Sequence, residues 1–393
     1  MPMRWIPRRF PAQPPATGPG RLARSSRRLA LGVLAAAVVL ALSAPVGLRD
    51  QYGGLLGPRA ASAAAQPAPL APTELVALPA NRIANATKPI VITLSAPPSP
   101  TSPTPTLHPS VAGTWAIEGD SEVFTPASTL QPCSTYKLTV WADTTSTGHA
   151  RLGRRRTVGL NVACPPVAGL QQALARLGHL GARFHPLYTF HEPAGPETRH
   201  EAAVHAYHPP RGRFAPDPPD APPVEAGKLD QTTRGALTVY QSDRGLAVTG
   251  EPDRQTWASL LSEVAADRKD PHPYTWVTVS ESLPETLEVH RGHHVVLSSA
   301  TNTGVPGAET PRGIFPIFAR FVSTTMSGED PDGTKYVVPD VPWVNYFNGG
   351  DAVHGYPRAS YGFPQSNGCV ELPIETAQVV FGMLQIGDIV EVT

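Results

Sequence analysis

Proline sets the outer limit on what this chain can fold into. A proline has no backbone N–H and holds φ at about −65°, so it is excluded from central strands and helix interiors. The chain has 46 of them, gathered in stretches: Pro58 to Pro72, Pro97 to Pro109 (PPSPTSPTPTLHP), and much of the segment from Arg183 to Gly227. Between the stretches lie segments rich in β-branched, aromatic or helically spaced apolar residues. That distribution argues against one continuous core and for compact domains joined or interrupted by stiff, solvated segments. At 393 residues there is room for two or three domains of ordinary size. The 32 basic and 32 acidic side chains cancel, which removes any global electrostatic case for nucleic acid as a partner.

The N-terminus sets the compartment. Arg4, Arg8, Arg9, Arg21, Arg24, Arg27 and Arg28 precede the first apolar run, with no acidic residue among them. Leu29 to Leu48 then reads LALGVLAAAVVLALSAPVGL and is closed by Arg49-Asp50. About 20 apolar residues span a bilayer as a helix, and the arginines keep the preceding end in the cytoplasm. We expect a cytoplasmic basic segment at 1–28, an uncleaved transmembrane anchor at 29–48 and an Ala/Pro-rich linker at 49–74. The competing reading is a cleaved signal peptide processed near Ala41, Ser43 and Ala44. Either way the bulk of the chain is exported, and Cys133 and Cys164 can then pair as a disulfide. Of the three cysteines that leaves Cys369, a candidate reactive thiol.

Residues 75–164 read as all-β. The runs Ile90–Leu94, Gly113–Ile117, Glu122–Phe124 and Tyr136–Trp141 are short, β-branched or aromatic, and bounded by turn formers. Their spacing suits a small sandwich. The segment GTWAIEGDSEVFTPASTLQPCSTYKLTV resembles bacterial Ig-like domains of cell-envelope proteins, which implies a spacer or scaffold. Pro97 to Pro109 reads as a long exposed loop.

A helical module is expected at 167–262. Leu170, Leu174 and Leu177 recur at helical spacing and Gly178 closes the pattern. After a gap the helical pattern resumes at Leu229–Gln241 and runs on to Leu261, with Asp230 or Thr232 and then Asp253 as caps. Leu170, Gln171, Leu174, Leu177, Gly178, Leu180, Thr233, Ala236, Gln241, Gly250, Thr256 and Trp257 resemble the pattern of the small three-helix peptidoglycan-binding domain. That resemblance implies peptidoglycan glycan and stem peptides as partners. The gap, an insertion at 183–227, carries His185, His191, His200, His205 and His208 among its prolines. No cysteine or HExxH-like pair accompanies them, so a solvated insertion is expected, with no metal and no cofactor.

Residues 273–393 carry strand runs at Trp276–Val279, Thr286–Val289, His294–Ser298, Ile314–Phe318 and Ile389–Val392, and one helix at Ile374–Leu384. Near the end stands VHGYPRASYGFPQSNGCVEL, from Val353 to Leu372. A thiol becomes a good nucleophile as thiolate, and a nearby imidazole is the usual means of making it one. Glycine beside a nucleophile lets backbone amides approach a developing oxyanion. Thr310-Pro311-x-Gly313-x-Phe315, the aromatic approach Trp343, Tyr346 and Phe347, His354-Gly355, and Ser366-x-Gly368-Cys369-Val370-x-Leu372 follow in an order that resembles the L,D-transpeptidase (YkuD) catalytic domain.

The resemblance implies a β-sandwich-like mixed sheet with its site in a cleft under a flexible lid. It implies an acyltransferase that attacks a tetrapeptide stem, releases D-alanine, and passes the acyl group to a neighbouring stem as a 3→3 crosslink. Cys369 is then the nucleophile, His354 its base, and Gly368 with Cys369 the oxyanion donors, on a loop oriented by Ser366. Gly355, Trp343 and Tyr346 are candidate substrate contacts, the two aromatics being equally readable as core. Two departures stand out. Asn367 replaces a family histidine, leaving a non-titrating donor in the loop. Glu371 stands where Arg or Asn is usual, which should oppose thiolate formation or alter recognition. The expected fold class is therefore multidomain, with an N-terminal helix, an Ig-like sandwich, a three-helix module and a β-rich catalytic domain. Its location is the cell envelope, with the catalytic domain outside the membrane. An L,D-carboxypeptidase and a degenerate wall-binding structural protein are the other readings, and the oligomeric state stays open.

Overall fold

A computed structural model describes residues 75–77, 82–83, 86–188 and 197–393. The basic segment, the apolar run Leu29–Leu48, the Ala/Pro-rich linker and His191 lie outside these residues. Among the described residues no helix is long and apolar enough to cross a membrane.

The first domain is a sandwich of two four-stranded sheets. Its strands are β1 (Leu75–Ala77), β2 (Arg82–Ile83), β3 (Ile90–Leu94), β4 (Thr106–His108), β5 (Gly113–Glu118), β6 (Ser121–Pro126), β7 (Thr135–Val140) and β8 (Arg156–Val162). One sheet runs β1-β3-β6-β5 and the other β2-β8-β7-β4. Side chains alternate across a strand, so Ile90, Ile92 and Leu94 of β3 meet Tyr136, Leu138 and Val140 of β7 in one core. Cys133 and Cys164, flanking β7 and β8, are disulfide-bonded. The stretch Pro97–Pro109 is not the exposed loop expected of it. Thr106–His108 pairs with β7, Pro98 bridges Ser146, and Ser102 Oγ donates to Thr145 O at 2.8 Å. β4 is an edge strand, where neighbouring prolines leave no ladder position unfilled.

The helical module contains α1 (Val167–Leu177), β9 (Ala182–Pro186), α2 (Arg199–Tyr207), β10 (Gly212–Pro216), α3 (Gln231–Asp243) and α4 (Arg254–Ala265). Asp230 caps α3 through Thr233 N at 2.7 Å, and Asp253 caps α4 through Thr256 N at 2.8 Å. Leu170, Leu174, Leu177, Tyr240, Trp257 and Leu261 form the core. Two fully buried glutamines fasten the loops around it. Gln171 donates to Glu225 O and Lys228 O, each at 2.9 Å, and accepts from Gly227 N at 2.7 Å. Gln241 accepts from Thr249 N and Gly250 N and donates to Glu251 O, each at 2.9 Å.

The insertion is not a solvated excursion. Its first strand, β9, pairs with β10 farther along, and between them α2 starts on a capping box in which Thr198 and Glu201 satisfy each other's backbone N–H. Ala202, Ala203 and Ala206 join the module's core. Tyr207 reaches the sandwich core, and its hydroxyl donates to Ala163 O at 2.5 Å. Small side chains on one face of α2 permit this approach. At Gly169 of α1, an added Cβ would lie 2.1 Å from Ala206 O.

The C-terminal domain holds β11 (Thr275–Ser280), β12 (Thr286–Arg291), β13 (His294–Ala300), β14 (Gly313–Pro316), β15 (Ala319–Glu329), β16 (Lys335–Asn348), β17 (Asp351–Gly355), β18 (Val370–Leu372), α5 (Ile374–Met383) and β19 (Ile389–Val392). Five strands make a sheet in the order β13-β12-β11-β19-β14, and four make a second in the order β15-β16-β17-β18. Val277, Val279, Val289, Val353, Val370, Val380 of α5 and Val390 fill the core they share.

The helical module docks on this domain through α3. Gly387 has φ +98, and a Cβ there would lie 2.6 Å from both Gly235 O and Val239 N. Gly387→Ala therefore adds a backbone penalty and a steric one at the same contact. We expect it to destabilise the chain by about 1–3 kcal/mol, read as a lower midpoint in guanidinium unfolding.

Candidate active site

The site is set by the parallel pairing of β17 with β18, in which Val353 is level with Val370, His354 with Glu371 and Gly355 with Leu372. Alternation sends Val353, Val370 and Leu372 into the core beneath α5. His354 and Glu371 consequently share the opposite face, and the same register carried back one residue puts Cys369 on that face, level with Ala352. Tyr346, packed with Ala352 and Val344, lies on this side as well.

His354 is 3% exposed. Its Nδ1 lies 3.0 Å from Gly355 O, a pure acceptor, so Nδ1 carries the proton and Nε2 holds the lone pair. Burial, the largest influence, holds the imidazole below the ordinary histidine range. His354 is thus a neutral ring with its basic nitrogen free of that bond.

The loop before β18 is fastened from several sides. Ser366 Oγ donates to Cys369 O at 2.5 Å, Ser366 N to Thr303 O at 3.0 Å, and Thr310 Oγ1 to Gly368 O at 2.9 Å. Gly368 has φ +102, and a Cβ there would meet Asp351 Oδ1 at 2.5 Å, so only glycine fits. Cys369 is half-buried, with Sγ 3.8 Å from Gly350 O. Burial pushes its thiol up to about 12, the Asp351 and Glu371 charges push the same way, and hydrogen bonding from the Ala352 backbone opposes them. The resting pair is therefore a thiol and a neutral imidazole.

Several expectations change here. Glu371 is not a bare charge beside the nucleophile: Arg358 holds it bidentately at 2.8 and 2.9 Å and also donates to Gln365 O at 2.8 Å. The pair ties the segment after His354 to the strand after Cys369. Asn367 turns its amide toward the β15–β16 tip, where Nδ2 donates to Asp330 Oδ1 at 2.6 Å. Gly355 is a packing position, where a Cβ would crowd Pro342, Ala377 and Ile374 at 3.2–3.3 Å. Trp343 belongs to the core, its ring 5.7 Å from that of Phe381 on α5. Tyr346 does stand near the thiol: burial, and then the Cys369 charge, raise its hydroxyl pKa.

Asp330, Tyr336, Asp351, Arg358 and Thr310 are site residues that the motif reading did not assign roles. Of these only Arg358 left a local signal, as a lone cation between histidine and cysteine in a stretch that ends on an unpaired Glu371. Asp330 and Tyr336 come from the long β15–β16 hairpin, whose tip is closed by Asp330 N to Thr334 O at 2.8 Å. Through Asn367, and through Pro331 set against Gly307, that tip comes down on the nucleophile loop.

A half-buried thiol and a buried neutral imidazole thus share one sheet face, beside a loop fastened by Asn367 to the β15–β16 tip. Residues 274–392 match the YkuD family, described as the L,D-transpeptidase catalytic domain, and this part of the chain is such a domain. Residues 212–260 match the family described as a putative peptidoglycan binding domain. That match begins at β10, and α1, which lies outside it, is held to the module by its buried leucines and by the Gln171 hydrogen bonds. No curated protein sequence matches the chain. Among solved structures, the L,D-transpeptidase catalytic domain from E. faecium is 24% identical, covering 32% of this chain and 100% of that one, with a TM-score of 0.29. The L,D-transpeptidase from Mycobacterium smegmatis is 15% identical over 82% of this chain and 100% of that one, with a TM-score of 0.28. L,D-transpeptidase 3 from Mycobacterium tuberculosis is 14% identical over 83% and 96%, with a TM-score of 0.27.

Two outcomes follow from the geometry. Because Asp351 raises the thiol, Asp351→Asn should shift the rate–pH profile for iodoacetamide labelling of Cys369 to lower pH, with wild type still rising at the alkaline end. Asp330→Ala removes the acceptor of Asn367. Loss of one side-chain hydrogen bond, worth about 1 kcal/mol, should speed amide hydrogen exchange at the β15–β16 tip about five-fold.

Proposed function

We propose that the chain is an exported L,D-transpeptidase that joins peptidoglycan stem peptides by 3→3 crosslinks through a Cys369 thioester. The observation that carries this reading is the shared sheet face of Cys369 and His354 inside the segment that matches the catalytic-domain family. Sγ attacks the carbonyl carbon of the acyl donor while His354 Nε2 takes its proton. With the thiol pushed up to about 12, proton transfer accompanies attack instead of preceding it. The C–N bond then breaks, and His354 returns the proton to the departing amine of D-alanine. In the second half an amine of a neighbouring stem attacks the thioester, C–S breaks, and the sulfur regains a proton. The Gly368 and Cys369 amides act as oxyanion donors, each worth on the order of 10²–10³ in rate.

The rest of the chain suits that role. The helical module supplies affinity for the wall, and the sandwich acts as an Ig-like spacer. Leu29–Leu48 serves as anchor or export signal, and the Cys133–Cys164 bond fits an oxidising exterior. A structural role on the wall is the second reading. It is favoured by the raised thiol and by the engagement of Asn367 with Asp330.

Mass spectrometry after incubation with a defined tetrapeptide donor separates these. We expect an acyl-tripeptide adduct on wild type that is absent from Cys369→Ala, and a crosslinked dimer once an acceptor stem is added. Tripeptide without dimer would make water the acceptor, as in a carboxypeptidase. Wall binding with no adduct on wild type would refute the enzymatic reading.

A further inference from the structure

A second polar cluster lies in the helical module, apart from the thiol chemistry. His179 follows the Gly178 cap of α1, Asp243 is the last residue of α3, and Asp270 lies between α4 and β11. One ligand-capable atom from each lies within 4.8 Å of the others. The His179 side chain is fully enclosed, with the Tyr240 ring edge-on to it at 5.1 Å. Both of its ring nitrogens are buried and neither makes a hydrogen bond. Asp270 Oδ2 comes within 3.0 Å of Nδ1, but off the line a ring N–H would need.

An imidazole in that state is unfavourable if nothing but protein surrounds it. A protonated His179 held between two carboxylates would aim an N–H along the line to an oxygen, and Asp270 Oδ2 does not lie there. Two ligands of one small metal ion, by contrast, sit side by side. At metal–ligand distances of about 2.0–2.1 Å, tetrahedral ligand atoms fall roughly 3.3 Å apart. The backbone favours a cation too. α1 and α3 both end at the cluster, and helix C-termini carry partial negative charge. Asp270 N donates to Leu177 O, the end of α1, at 2.7 Å. Asp270 Oδ1 is taken by His272 N at 2.9 Å, which leaves Oδ2 on the His179 side.

We propose that His179, Asp243 and Asp270 bind one divalent ion of the zinc class, each through a single nitrogen or oxygen atom. The imidazole selects a transition metal over calcium or magnesium, and a fourth position is left for water. The ion joins the ends of α1 and α3 to the segment that leads into β11. Its role is to hold the helical module against the catalytic domain, and it takes no part in the reaction at Cys369. None of the described insertion histidines is among these ligands.

The test uses the whole purified chain, stripped with chelator, reloaded with zinc and desalted. Wild type is expected to retain one equivalent of zinc by elemental analysis and to show a higher thermal midpoint than the stripped form. Asp243→Asn changes no volume at a helix end. It is expected to remain folded by circular dichroism, retain less than a tenth of that equivalent, and lose the zinc-dependent shift. Cobalt in place of zinc should give visible absorption bands in wild type and not in His179→Gln. A wild type that retains no zinc, or zinc retained equally by Asp243→Asn, would overturn the proposal.

Discussion

The pairing of β17 with β18 is the constraint on which the catalytic domain depends. These strands are joined by a long loop and run parallel, so no tight turn fixes their register. Slipping by one residue would carry Val353, Val370 and Leu372 out of the core and bury Cys369 and His354 in it. The apolar side chains beneath α5 therefore do more than add stability: they decide which face carries Cys369 and His354. The Arg358–Glu371 pair acts on the same loop. Its two ends flank the histidine and the cysteine, and the guanidinium also takes Gln365 O, so the crossover is tied at both ends and in the middle. Glu371 is 4% exposed, and a buried charge so enclosed holds its place only with its partner present.

Around the nucleophile the electrostatics are restrained. Burial first, and then the Asp351 and Glu371 charges, raise the thiol, and burial holds His354 below the ordinary histidine range. Such a pair spends little time as the thiolate–imidazolium form that is open to oxidation. The hairpin carrying Asp330 and Tyr336 reinforces this by coming down on Asn367.

Much of this was legible in the sequence because it is local. The strand runs, the Asp230 and Asp253 caps and the order of His354, Ser366, Gly368 and Cys369 are written in neighbouring residues, and the catalytic and wall-binding families followed from them. What was not legible depends on partners distant in the chain. Glu371 read as an intrusive charge because nothing nearby in sequence names Arg358 as its partner. Asn367 read as a loop donor because Asp330 arrives from a hairpin tip. The insertion read as solvated because its prolines outweighed a real signal, the Thr198-x-x-Glu201 capping box. Trp343 and Tyr346, three residues apart on one bulged strand, divide between core and cleft, which composition could not decide.

Tyr207 has a further consequence. By planting its ring in the sandwich while its helix packs against α1 and α4, it removes the hinge that a proline-rich connector would otherwise supply, and the glycine contact between α3 and β19 removes the next. The three domains are thereby joined by buried contacts as well as by the chain. In the proposed function, a fixed spacing between the helical module and Cys369 would raise the effective concentration of groups at one separation. The inserted helix fixes the sandwich to the helical module, and the contact of Gly387 with α3 fixes that module to the catalytic domain.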